Sequence, residues 1–244
     1  MLDLLHFASG VPTVPVQRRM DLGSVRAARD LLLLRPCWPA LFLKAYATVV
    51  GEMPALRRAF VKLPWAHLCE YPRSVASVAV ERDWNGEPCV FFGRIGDPAR
   101  MPLGDLHDRI RDLAEAPVES VKSYRQLLRL ASLPRPLRRA TMWLGLNLPR
   151  TRPGQFGTFG LSVYSSLGAE SLHPLSPLTT TLTYGPISID GAVDVRLVYD
   201  HRVLDGATVA RALARMEAVL GESILTELVE AAGVGSGDAI RDAA

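Results

Sequence analysis

Between Pro39 and Met53 the chain places Leu41, Phe42, Ala45, Tyr46, Val49 and Val50 so that most sides of a helix are apolar, with Pro39 near its first turn and Pro54 as its stop. A helix this apolar must be central, and the remaining segments have to build layers around it. Thr13–Met20 looks extended. Helical spacing through Leu22, Val25, Ala28, Leu31 and Leu32 predicts a helix over Asp21–Leu34, ended by Arg35-Pro36. Val75–Glu81 and Cys89–Arg94 read as strands joined by the hairpin signal Asp83-Trp84-Asn85-Gly86. Leu103–Ala116 is amphipathic and helical. Thr158–Tyr164 and Thr179–Tyr184 read as strands, and Ile187–Ile189 with Val193–Tyr199 as a hairpin turning at Asp190-Gly191. Gly206–Gly221 is a final helix with Val209, Leu213, Met216 and Leu220 on one face. Strands and helices mix without strict βαβ alternation, which predicts an α+β fold.

The 244 residues are 48% hydrophobic and 22% charged, a globular balance that needs no disulfide or metal staple. Cys37, Cys69 and Cys89 are odd in number and set among apolar neighbours, so they are expected as buried thiols in a reducing compartment. No apolar run approaches a membrane span, and the start lacks the basic region of a secretory signal, so a cytoplasmic location is expected. Histidines, cysteines and acids never fall at ligand spacing, so no bound metal is expected. A net charge of +3 with 25 acidic residues does not point to nucleic acid.

Lys122 to Arg152 stands apart. It carries eight basic residues and no acid, leaving −5 on the rest, and its leucines and Trp143 interleave with arginines. Such a basic amphipathic segment could lie on an anionic membrane surface, form a lid, make an oligomer contact, or pack as an extra helical hairpin. Residues 1–232 are expected to form one domain interrupted by this segment, 120–155, with 233–244 as a flexible tail.

The chemistry concentrates in Tyr199-Asp200-His201-Arg202-Val203-Leu204-Asp205-Gly206, where a strand ends and a helix begins. This octapeptide resembles the active-site signature of the acyltransferase catalytic domain of 2-oxoacid dehydrogenase complexes, and its His-x-x-x-Asp-Gly core is shared with chloramphenicol acetyltransferase. Three further stretches resemble the family in the required order: Lys44-Ala45 through Pro54, Ser77-Val78-Ala79-Val80, and Gly157-Thr158-Phe159-Gly160-Leu161-Ser162, continuing through Gly168, Ser171, Pro174 and Gly185. The resemblance covers about residues 13–222. It implies a chloramphenicol acetyltransferase-like mixed sheet covered by helices, assembled as a homotrimer with His201 of one subunit facing Ser162 of the next, in some members stacked into higher cages.

Those residue types suit acyl transfer. A thiol of pKa near 8.5 is mostly protonated at neutral pH, and an imidazole of pKa about 6.5 can take its proton as it attacks an acyl carbonyl. The resemblance assigns that role to His201, oxyanion stabilisation to the Ser162 hydroxyl, and support of the loop to Asp205, paired with an arginine or accepting backbone donors. Coenzyme A or acyl-CoA is the implied substrate, with a small-molecule acceptor. His173, in Ser171-Leu172-His173-Pro174, is expected to pack in a loop; His6, His67 and His107 have no partner pattern.

The chain also departs from the family. None of its three lysines, Lys44, Lys62 and Lys122, resembles a lipoylation site, so no lipoyl lysine is expected. The family's opening helix, which supplies an arginine to the motif aspartate, is expected to be missing, with Arg18 and Arg19 on the following strand. Two alternatives stay open: a non-catalytic trimeric scaffold or partner-binding homologue, and a membrane-surface protein acting through residues 122–152.

Overall fold

The computed structural model describes residues 2–241, with side chains to residue 233. Its elements are α1 (Leu2–Ala8), β1 (Thr13–Asp21), α2 (Gly23–Asp30), α3 (Trp38–Glu52), β2 (Arg58–Val61), β3 (His67–Glu70), β4 (Val75–Trp84), β5 (Glu87–Gly96), α4 (Leu103–Glu115), α5 (Lys122–Ala131), α6 (Arg135–Asn147), α7 (Arg152–Gln155), β6 (Phe159–Leu161), β7 (Thr180–Tyr184), β8 (Ala192–Asp200), α8 (Gly206–Val219) and α9 (Leu225–Arg241). The main sheet is mixed, in the order β1-β8-β7-β6-β4-β5, with β6 parallel to both β4 and β7 and every other pair antiparallel. β2 and β3 form a separate two-stranded ribbon.

α3 is central, as its composition requires. Ala40 to Leu43, Ala45 to Ala47, Val49 and Val50 are all buried. Phe42 stacks on Tyr184 of β7 with centroids 4.0 Å apart, Tyr46 meets Phe159 of β6 edge-on at 5.0 Å, and the Tyr46 hydroxyl donates to Thr180 Oγ1 at 2.7 Å. α4 and α8 flank α3, so one face of the sheet carries the core. The two-residue pleat then divides each strand cleanly. Ala76, Val78, Phe159, Leu161, Leu182, Tyr184, Leu197 and Tyr199 turn towards the helices. Their neighbours Ser77, Ala79, Phe92, Arg94, Gly160 and Thr181 line a cavity on the opposite face, whose far wall is built by α5 and α6.

Several expectations are corrected. An opening helix is present: α1 carries no arginine, and its Asp3 instead binds Arg138 and Arg139 of α6. α2 stops at Asp30, leaving Leu31, Leu33 and Leu34 exposed. Ile187–Ile189 is not a strand; only Ser188 makes a ladder bond, to Ala192, before the turn at Gly191. β6 is three residues rather than seven, because pairing with β4 ends at Leu161. The helix from Gly206 does not end at Gly221 but passes through a π turn, Leu220–Ile224, into α9, which carries helical backbone past Gly233 to Arg241. The three cysteines are free but half-buried rather than buried. Segment 120–155 is helical, and among the described residues no helix is long and apolar enough to cross a membrane.

Candidate active site

The octapeptide forms a locked turn. β8 ends at Asp200, whose N–H donates to Thr179 O at 2.8 Å, and the His201 N–H donates to Pro12 O at 2.9 Å just ahead of β1. The buried Asp200 carboxylate takes a bidentate contact from Arg202, Nε to Oδ1 at 2.9 Å and Nη2 to Oδ2 at 2.7 Å, and also accepts the Arg202 N–H at 3.0 Å. The Arg202 guanidinium lies over the Phe60 ring, 4.7 Å from its centroid. Between these two residues the His201 side chain is exposed, its ring 5.5 Å from that of Tyr199. Sequence reasoning sought an arginine for Asp205; the arginine in the turn belongs to Asp200.

Asp205 is the N-cap of α8. Its carboxylate accepts from the Thr208 N–H at 2.8 Å and from the Thr208 hydroxyl at 2.9 Å, satisfying a free amide of the first turn. Those two bonds hold its carboxyl below the usual carboxylate range. Of the two supports expected for Asp205, backbone donation is the one observed.

Ser162 follows β6 directly. Its N–H donates to Leu182 O at 3.0 Å, and its hydroxyl, among the described residues, makes no hydrogen bond and borders the cavity of about 860 Å³ beneath α5 and α6. Ser171 and Pro174 border the same cavity. The β6–β7 register sets Leu161 beside Leu182, so Ser162 is level with Thr183, which pairs with Arg196, and His201 lies two strands across and five residues further along. At strand spacings near 4.8 Å and a rise near 3.3 Å per residue, the two residues of one chain stand roughly 19 Å apart. Asp205 and His201 share the strand-to-helix junction, the Asp205 carboxylate bonding to Thr208, and Ser162 stands apart from that junction.

Two neighbours of the turn carried no usable signal in the sequence. His173 joins Thr13 Oγ1 through Nε2 at 2.7 Å, tying its loop to the start of β1, opposite Asp200 in the β1–β8 register. Arg152 is buried, donating to the carbonyls of Phe60, Leu146 and Pro177 at 2.9–3.2 Å, and its burial lowers its pKa. An arginine in a basic run gives no sign of which neighbour is consumed internally. Among the described residues no three metal-ligating side chains converge.

No family model and no curated protein matches the chain. Solved structures do. A probable dihydrolipoamide acetyltransferase from Listeria monocytogenes superposes with a TM-score of 0.65 at 16% identity, over 91% of this chain and 89% of that one. The fold is that of the chloramphenicol acetyltransferase-like acyltransferases. A dihydrolipoamide acetyltransferase of Azotobacter vinelandii, studied for the roles of a serine, a histidine and an asparagine in its mechanism, gives 0.65 at 19% identity over 93% and 88% of the two chains. A chloramphenicol acetyltransferase gives 0.52 at 14% identity over 89% and 94%. At these identities the likeness shows the acyltransferase-like architecture and leaves the chemistry to the residues.

Proposed function

We propose that the protein is an acyl-CoA-dependent acyltransferase, acting in the cytoplasm, whose active site forms between copies of the chain in a homotrimer. The observation that carries this reading is the separation of His201 and Ser162. Each stands where the resemblance puts a catalytic group, yet at roughly 19 Å they cannot act on one carbonyl within a single chain, since a base and an oxyanion donor must both come within about 3 Å of the reacting atoms. A neighbouring copy supplies the missing half.

In this reading the neutral imidazole of His201 takes the proton from a thiol or other acceptor as it attacks the acyl carbonyl. The Ser162 hydroxyl of the adjoining copy donates to the oxyanion that forms. Collapse breaks the carbon–sulfur bond of the thioester, and the imidazolium returns its proton to the departing CoA thiolate. Asp205 fixes the start of α8 and the Asp200–Arg202 pair fixes the turn, so that the imidazole does not pay to find its orientation during the reaction.

Subunit complementation tests this. His201→Ala and Ser162→Ala are each expected to be inactive as pure trimers. Dissociated and reassembled at equal amounts, they should regain activity towards a quarter of wild type, since roughly one interface in four then pairs an intact His201 with an intact Ser162. Mixed trimers without activity would exclude the shared site.

A further inference from the structure

We infer that the cavity between the sheet and the α5–α6 hairpin holds the aliphatic tail of a medium- to long-chain acyl group, with the carbonyl end at Ser162. That the guest is an acyl group rests on the acyltransferase reading; that it is long and apolar rests on the cavity. About 860 Å³ is the size of a site for a sizeable small molecule. A two-carbon acyl group takes up roughly two water volumes, near 60 Å³ at ~30 Å³ each, and would leave the rest as water against apolar walls. Those walls are Leu127 and Leu130 of α5, Met142 of α6, Phe92 of β5, and Leu178 just before β7.

The guanidinium groups at the margin are hydrogen-bonded within the chain. Arg94 donates to Gln155 O at 2.8 Å and to Gln126 Oε1, and Arg138 is paired with Asp3. The cavity floor also carries the hydroxyls of Ser77 and Thr181. Among the described residues, Thr181 Oγ1 is buried without a partner beside Gly160, on the strand next to Ser162. An orphaned buried donor here fits an acceptor brought by a ligand, and a thioester carbonyl is such an acceptor. The inserted hairpin is then the wall that sets chain length.

The test uses acyl thioesters of N-acetylcysteamine, which need no CoA site, displacing the apolar dye N-phenylnaphthylamine from the full chain. Butanoyl, hexanoyl, octanoyl and dodecanoyl thioesters should bind with affinity rising about fourfold per methylene. Leu130→Gln, at a half-buried wall position, should weaken dodecanoyl binding at least tenfold, whereas Leu137→Gln, at an exposed position on α6 outside the cavity, should leave it unchanged. Displacement that is absent, independent of chain length, or equally affected by both variants would overturn the inference. Acyl transfer by the wild-type protein, assayed alongside binding, separates the two claims. Chain-length-dependent binding by a protein that transfers no acyl group sinks the transferase and keeps the pocket; acetyl transfer without chain-length dependence sinks the pocket and keeps the transferase.

Discussion

Asp3 and Arg139 are ion-paired at 2.8 Å, and with Arg138 on the same carboxylate they fasten the first helix of the chain to α6, more than 130 residues later. α1 has seven residues, too few to persist by itself, so its place beside the cavity depends on this clamp.

The clamp should respond to acid in one direction. The Arg139 and Arg138 hydrogen bonds hold the Asp3 carboxyl below its ordinary range. A depressed carboxylate contributes its stabilisation above the unfolded value of about 3.9 and loses it as pH falls through the folded value. Hydrogen exchange of residues 2–8 should therefore be flat from neutral pH to about 5 after correction for the intrinsic rate, and rise below about 4. In Asp3→Ala it should already be fast at neutral pH; unchanged protection there would show that the clamp does not hold α1.

Calorimetric titration with CoA and short acyl-CoA molecules should show saturable binding that His201→Ala retains. The same variant should lose about 10²–10⁴-fold in turnover and Ser162→Ala about 10²–10³-fold. A folded trimer that binds no CoA would favour the scaffold reading.

Arg202→Ala should leave the buried Asp200 carboxylate without its bidentate partner, at a cost of about 1–3 kcal/mol or somewhat more for a charged group. The turn carrying His201 should loosen, lowering kcat more than it raises KM. Arg202→Lys should restore little, since an ammonium cannot reproduce the fork. Full kcat in Arg202→Ala would remove this pair from the positioning of His201.

Asp205→Asn should stay near wild type in melting temperature and in rate, because an asparagine oxygen caps a helix as well as a carboxylate does. Asp205→Ala should lower the melting temperature and slow turnover. A large rate loss in Asp205→Asn would mean that its negative charge matters beyond the cap.

Much of this architecture was legible because local chemistry and global packing agree. α3 declared its burial by composition. The β4–β5 turn declared itself in Asn85 and Gly86, which adopt φ of 58° and 82° as a tight hairpin requires. His201 and Asp205 stood in one motif, and the fold placed both at the strand-to-helix junction. What stayed hidden depends on distant partners. α1 is held by a carboxylate–arginine clamp across the chain, and the short β2–β3 ribbon, unmarked in the sequence, frames Arg202 through Phe60. The leucines of α2 kept helical spacing beyond the point where the core ends, so periodicity overran the helix. The cavity was legible only as one alternative for the basic segment, a lid, since its walls come from α5, α6, β5 and β6, which meet only in the fold.

β6 has a consequence for how the molecule assembles and comes apart. The β4–β5 hairpin closes locally, as does the β7–β8 pair, but among the described residues the strand ladders of the two blocks are joined only through Phe159 to Leu161, which pair with Ala76 to Val78 on one side and, through Gly160 and Leu161, with Thr181 and Leu182 on the other. The sheet is two panels buttoned by three residues, and the button arrives 83 positions after its hole, once all of α4 to α7 has been threaded past. Because closure entropy grows only slowly with loop length, lengthening or trimming that threaded stretch should change folding speed little, whereas any change that weakens the button should let the panels part as units while each remains knitted within itself.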